Sequence, residues 1–258
     1  MKITALTENT SCDPRFGCEH GLSLYIETQK HNVLFDTGQS SLFAENAEKL
    51  EIDLNRVDLC VLSHGHYDHG GGLRRFLELN DHAPVYLNRR AFEPHYNGTE
   101  KYIGLDTALR NSDRLIFTDD EAVIGDGLTL CTRNDRERTY PSSGAGLNAV
   151  IGGEMIPDDF RHEQYLLIEE ENRRVLISGC SHKGILNIAG WFQPDVLIGG
   201  FHLSKVTDEN ALAEIAAHLN AYPTAYYTCH CTGTEQFNIM QAHMPHLYYL
   251  SAGQTIEM

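Results

Sequence analysis

Residues 63–70 read Ser-His-Gly-His-Tyr-Asp-His-Gly, which puts His64, His66, Asp68 and His69 within six positions. Imidazole nitrogen and carboxylate oxygen are ligands of zinc and of neighbouring first-row metals. The run follows Val-Asp-Leu-Cys-Val-Leu at 57–62, a nearly continuous apolar stretch that predicts a strand buried on both faces. A strand end is rigid, and the loop leaving it can turn several side chains toward one point. His64 and His66 alternate, so an extended backbone presents both rings on one side. Asp68 and His69 then point elsewhere, which leaves room for a second metal beside the first. Gly65, Gly70, Gly71 and Gly72 allow the sharp turning this needs. Such a density of ligand groups at the end of a buried strand reads as a metal site rather than a solvated loop.

A catalytic metal takes about three protein ligands and keeps one position open. The remaining ligands must come from other strand ends. His182 follows the apolar run at 173–180 and is the choice for the first metal. His162 is the runner-up, although beside Asp158, Asp159, Arg161 and Glu163 it reads as a surface residue. His230 follows the strand-like run at 225–229 and precedes Thr232-Gly-Thr-Glu235, a capping-box pattern that starts a helix. His202 also follows a strand. His230 is assigned to the second metal and His202 to substrate or transition-state contact, and the two roles are interchangeable on sequence alone. Lys183 and the helix start at Thr232 are candidate contacts for an anion, because free backbone N–H groups favour phosphate. A solvated surface lysine is an equal reading of Lys183. Cys229 and Cys231 bracket His230 and read as core. His20 is a candidate to line the site.

Short strands are expected at 2–9, 22–28, 31–38, 57–64, 83–88, 114–119 and 128–133, then at 165–170, 173–179, 195–200, 225–230 and 247–251. Helical spacing marks 40–50, 71–80, 184–192, 208–220 and 232–244. Two β-rich halves, each with helices, suggest two packed sheets with helices outside, in one domain spanning 1–258.

LSHGHYDHGGGL at 62–73 resembles the HxHxDH signature of the metallo-β-lactamase fold superfamily. The resemblance implies an α/β (α+β) chain folded as an αββα sandwich, with the metals at one edge. LFDTG at 34–38 looks like that superfamily's early Asp-containing strand end, and Asp36 would then neighbour the metal loop rather than bind metal. EHGLS at 19–23, LFDTGQS at 34–40, SGCSHKGILNI at 178–188, GGFHL at 199–203 and CHCTG at 229–233 are similar to the pterin-ribosylaminobenzene phosphate synthase-like branch. His230 resembles the superfamily's final metal His. Dinuclear members carry a bridging Asp where this chain has Cys180. Cys180 then completes the second site, Asp158 or Asp159 substitutes, or Cys180 is a small buried residue.

The functional expectation is a hydrolase of a small anionic, phosphate-bearing substrate, using one or two divalent ions, with zinc first and iron or manganese open. Metal-bound water ionises near pH 7, and Asp68 would orient the hydroxide and take up its proton. A synthase-type transferase, with the metals holding a pyrophosphate leaving group, is the alternative. A non-catalytic ligand-binding protein is the third, and the intact metal set argues against it. The formal charge of −16, without a basic cluster, counts against nucleic acid and anionic membranes as partners. Seven cysteines, an odd number, and no apolar leader or span of roughly 18–20 residues point to the cytoplasm. Oligomeric state has no signature in the chain.

Overall fold

Along the buried strands, successive side chains serve alternate layers. Val33 and Phe35 face one apolar cluster while Leu34 faces another. Leu59 and Val61 likewise oppose Cys60 and Leu62. In the second half Val175 and Ile177 oppose Leu176, and Val196 and Ile198 oppose Leu197. A strand apolar on both faces must be covered twice, so the chain builds three apolar layers: one between two sheets, and one under each outer set of helices.

The computed structural model describes residues 1–142, 144 and 146–258. Its first sheet runs Thr255–Glu257, Lys2–Thr7, Ser23–Glu27, Asn32–Phe35, Leu59–Val61, Val85–Asn88, Leu115–Thr118. The second runs Leu247–Tyr249, Ala225–Thr228, Val196–Gly199, Arg173–Ile177, Tyr165–Glu170, Leu128–Cys131, Glu121–Gly125. Ile3, Leu24, Leu166 and Ile198 are among the fully or almost fully buried residues between them. Helices Leu42–Lys49 and Leu73–Leu79 contribute Phe43, Ala47, Leu73 and Phe76 to the outer layer of the first sheet. Ile185–Phe192, Glu209–Leu219 and Thr234–Gln241 cover the second. The αββα sandwich implied by the sequence resemblance is therefore present.

The helix Glu209–Leu219 shows its logic directly. Asp208 accepts the Asn210 N–H as N-cap, and Leu212, Ala216 and Leu219 recur at helical spacing on the buried face. The expected capping box at 232–235 does not form. Gly233, at φ 86°, precedes the helix, and Thr232 Oγ1 instead accepts the Phe201 N–H. The sequence reading also passed over a third, four-stranded sheet ordered Glu154–Pro157, Leu147–Ile151, His95–Asn97, Lys101–Tyr102. It brings Ile103, Leu147 and Phe160 together beside Tyr67.

Asn32–Phe35 and Leu59–Val61 are parallel neighbours, as are Arg173–Ile177, Val196–Gly199 and Ala225–Thr228. Their C-terminal ends deliver Asp36, His64, Cys180, His202 and His230 to one edge of the sandwich.

Candidate metal centre

The loop after Leu59–Val61 passes so close to Ala91 that a Cβ on Gly65 would lie 2.2 Å from the Ala91 carbonyl oxygen. Only glycine lets the His64 and His66 backbone lie there. Opposite, a Cβ on Gly179 would meet Ser63 Oγ at 2.2 Å, so a second glycine allows the Cys180–His182 turn to approach the same loop. Asp36, Ser181, His202 and His230 hold positive φ of 59°, 60°, 53° and 50°. Such conformations are costly for side chains with a Cβ, and they cluster where function requires them.

These turns aim ring nitrogens at one another. His64 Nε2 and His182 Nε2 are 3.3 Å apart. His69 Nε2 is 3.2 Å from His230 Nε2 and 3.2 Å from Cys180 Sγ. Asp68 Oδ2 lies 3.4 Å from His230 Nε2 and 3.2 Å from His20 Nε2. His64, His66 and His182 form one compact donor group, and His64, His69 and Cys180 form an adjoining one.

The proton positions follow from the partners. Asp36 Oδ2 accepts from His69 Nδ1 at 2.7 Å. Ser63 Oγ donates to Asp36 at 2.7 Å and therefore accepts from His64 Nδ1 at 2.8 Å. Asn9 Oδ1 accepts from His230 Nδ1 at 2.8 Å. Each contact keeps the ring proton on Nδ1 and leaves an Nε2 lone pair pointing inward, the tautomer a metal ligand needs. Burial pushes His64, His66 and His182 well below the ordinary imidazole range, and His230 down to about 4. Burial also disfavours charge on His69, but Asp36 and Asp68 outweigh it and raise its pKa. Asp68 is ionised despite burial, because His69, His20 and His230 hold its carboxyl well below the usual range.

Lone pairs held at 3.2–3.3 Å repel unless a cation or proton lies between them. Nitrogens bound tetrahedrally to zinc at about 2.0–2.1 Å are separated by about 3.3 Å. The donor set therefore fits a divalent metal.

Two buried carboxylates missed in the sequence hold the ligand turns. Glu163 Oε1 accepts the His182 N–H at 2.7 Å, and its other oxygen accepts from Tyr165 Oη at 2.6 Å. Glu8 Oε2 accepts the His230 N–H at 2.9 Å and the Tyr249 hydroxyl at 3.2 Å. Neither had a readable signal, since each acts on a backbone amide far away in the chain.

Several expectations need correction. Lys183 does not face a substrate: it is fully buried, and its Nζ donates to the Thr132 and Glu163 carbonyls at 2.7 and 2.9 Å. Thr232 is also fully buried, with its hydroxyl taken up by Phe201 N–H and Thr228. His162 is not a surface residue: it is 1% exposed. It is not aimed at His64 and His182 either, since its Nδ1 accepts the Gly65 N–H at 2.9 Å and its Nε2 faces Asp158 at 3.2 Å. Cys229 lies in the inter-sheet core as expected, but Cys231 sits with Cys180 and His230 at the site.

A cavity of about 280 Å³ opens over this centre. His66, Asp68, His182, His202 and His230 form its polar floor, and Tyr67, Ile103 and Leu147 an apolar wall. The exposed Lys101 and Lys205 stand at the rim with Asn97 and Ser204.

An αββα sandwich with a histidine-rich centre at the strand ends defines a metal-binding hydrolase-type fold. The chain belongs to the metallo-beta-lactamase superfamily, whose family profile matches residues 16–217. It is 30% identical over 246 residues to an uncharacterised protein of Methanocaldococcus jannaschii, covering 90% of both chains. It is 28% identical to that organism's 7,8-dihydropterin-6-methyl-4-(beta-D-ribofuranosyl)-aminobenzene-5'-phosphate synthase, covering 100% of this chain and 96% of the relative. A crystal structure described as a metal-dependent hydrolase of the beta-lactamase superfamily superposes with a TM-score of 0.86 at 32% identity, covering 100% and 99% of the two chains. No helix among the described residues is long and apolar enough to cross a membrane.

Proposed function

We propose that this protein is a metal-dependent hydrolase of a small anionic, phosphate-bearing substrate. The observation that carries the reading is the convergence of the Nε2 atoms of His64, His182, His69 and His230 at 3.2–3.3 Å, with His64, His69 and His230 each fixed by a partner on Nδ1. His64, His66 and His182 would hold one metal. His69, His230, Asp68 and Cys180 would hold a second, with the thiol in place of a carboxylate and zinc favoured by its softness. A bound divalent metal supplies Lewis acidity toward a substrate oxygen and activates water near neutral pH.

The chain's own residues do the rest. Asp68 Oδ2 takes up a proton at the cavity floor, and His20, 3.2 Å away and half exposed, passes it to solvent. His202 donates to the developing anion from the floor. Lys101 and Lys205 take over the anion-binding role first given to Lys183, because they are the lysines at the cavity rim. In a chain of net charge −16, two local cations and the metals invert the field for an anionic substrate. Tyr67, Ile103 and Leu147 give an apolar surface for a ring or chain next to the anion. Seven free cysteines, two of them exposed, suit a reducing cytoplasm.

The test is elemental analysis of the purified protein beside a screen of phosphomonoesters, phosphodiesters, lactones and thioesters. Phosphoester turnover, with KM raised about tenfold and kcat kept in a Lys101→Ala, Lys205→Ala double variant, supports the reading. A metal-free protein under replete conditions sinks it. The full-length likeness to a named synthase supports a second reading, a transferase whose metals hold a pyrophosphate leaving group. Release of pyrophosphate from a pterin pyrophosphate only when an aminobenzene acceptor is present would select it.

A further inference from the structure

Behind the cavity floor lies a second polar cluster that the proposed chemistry does not use. His95 and His162 are 0% and 1% exposed, and the Asp158 side chain is 2% exposed. None of the three lines the cavity. Together with His66 they bring nitrogen and oxygen atoms within 4.8 Å of one another.

Their protons can be assigned one by one. The Gly65 N–H donates to His162 Nδ1 at 2.9 Å, so the His162 proton sits on Nε2, 3.2 Å from Asp158 Oδ2. His95 Nδ1 donates to the same oxygen at 2.9 Å, and the Phe160 N–H donates to Oδ1 at 2.7 Å. The carboxylate thus has three donors. With its proton on Nδ1, His95 carries a lone pair on Nε2, and that atom is buried with no partner. His66 Nε2 is also buried with no partner, although His66 itself lines the cavity. The two rings meet edge to face, with centroids 5.4 Å apart. A His66 that gives its Nδ1 lone pair to a metal keeps its proton on Nε2. One orphan is then a donor and its neighbouring orphan an acceptor: no hydrogen bond joins them as the rings stand, and a small tilt of either ring on metal binding would make one.

We propose that His95, held by Asp158, forms a buried support that accepts a hydrogen bond from His66 Nε2–H when His66 binds a metal and so tightens binding at the His64, His66 and His182 set, with His162 bracing Asp158 against the Gly65 amide. The inference rests on the metal reading above. A carboxylate acting through an imidazole orients a ligand ring and raises its basicity, and losing such support costs about 10–100-fold in metal affinity. These are positioning residues, since none reaches the cavity.

The experiment is a zinc titration of the full chain against a chromophoric chelator. Asp158→Asn and His95→Phe should each weaken one zinc equivalent about 10–100-fold and leave the other unchanged. His162→Gln keeps an acceptor for Gly65 and a donor for Asp158, and should stay within about threefold of wild type. Melting temperatures of the metal-free variants separate ligand support from a general loss of structure. Wild-type affinity in both Asp158→Asn and His95→Phe overturns the inference, as does equal weakening of every equivalent. A third equivalent in the wild type, lost in Asp158→Asn, also overturns it, because the cluster would then be a metal site of its own. A wild-type chain that binds no zinc would instead remove the metal reading, and this inference with it.

Discussion

Asp36→Asn changes one oxygen to an amide nitrogen, yet it should disturb two metal ligands at once. The Asp36 carboxylate accepts three donors: Ser63 N–H, Ser63 Oγ and His69 Nδ1, each at 2.7 Å. An asparagine has one acceptor oxygen, so two arrangements are open. If the oxygen keeps the Ser63 N–H, the NH₂ faces Ser63 Oγ and His69 Nδ1. His69 must then move its proton to Nε2, which faces His230 and Cys180. Ser63 Oγ, now an acceptor from the amide, turns its proton toward His64 Nδ1 and drives that ring to the same wrong tautomer. If the oxygen turns the other way, the NH₂ meets the Ser63 N–H and a buried donor pair is left unmet. A hydrogen bond to a charged group is worth about 1.5–3 kcal/mol, and an unmet buried donor costs about 1–3 kcal/mol. We expect about 3 kcal/mol of lost stability, or about 6–12 °C in melting temperature for a chain of this size. Zinc affinity should fall at both sites by at least about tenfold. Thermal denaturation of the metal-free protein and chelator competition read the two effects separately. A variant that melts within a degree or so of wild type and binds both zinc equivalents normally would refute the tautomer argument.

Further outcomes follow from the same geometry. His66→Ala should lose metal from the His64, His66 and His182 set and lose activity while the circular dichroism spectrum is kept; normal turnover would refute the assignment. In Gly65→Ala the new Cβ would lie 2.2 Å from the Ala91 carbonyl oxygen, a backbone atom with little freedom to yield. It should cost about 1–3 kcal/mol in denaturant unfolding and weaken zinc by displacing the ligand loop. The metal-free protein should lose stability as pH falls below about 6.5. His64, His66, His182 and His230 stay neutral when folded and take up protons when unfolded, so each contributes a loss of up to about 1.4 kcal/mol per pH unit. His69 works the other way, because its raised pKa adds stability below 6.5 that is lost as pH rises through the folded value. One such group does not offset four, so the urea midpoint at about pH 5.5 should lie below that at about pH 7.5; the reverse order would contradict these proton assignments.

The layers were legible because the central strands announce themselves. Val57–Leu62 and Arg173–Ile177 carry apolar side chains on both faces, and only a doubly covered strand does so. The third sheet was missed because its strands are short and half exposed. Glu154–Pro157 has no fully buried residue, and Lys101–Tyr102 has two exposed ones, so neither carries a buried period to read. The capping box failed for a different reason. The Thr232 hydroxyl had a better partner in the Phe201 amide, and no local pattern can report a donor 31 residues away.

The same division between local and distant information runs through the site. His64, His66, Asp68 and His69 are dense in sequence because one loop carries them, and density is a local signal. What holds them is not local. Asp36 reaches His69 across 33 residues, Glu8 reaches His230 across 222, and Asn9 reaches the same ring across 221. Lys183 and His162 both read as solvent-facing residues, and both are buried, for this reason. Lys183 has a charge that predicts solvent, but two carbonyls of neighbouring strand ends accept its protons and allow its burial. His162 sits in a charged stretch, yet one of those charges, Asp158, turns inward to meet it, and the Gly65 amide takes its other nitrogen. A charged loop reads as surface only while its charges lack buried partners. Here the partners are the backbone amide of the ligand loop and the ring of His95, so the stretch that looked solvated packs beneath the metal ligands.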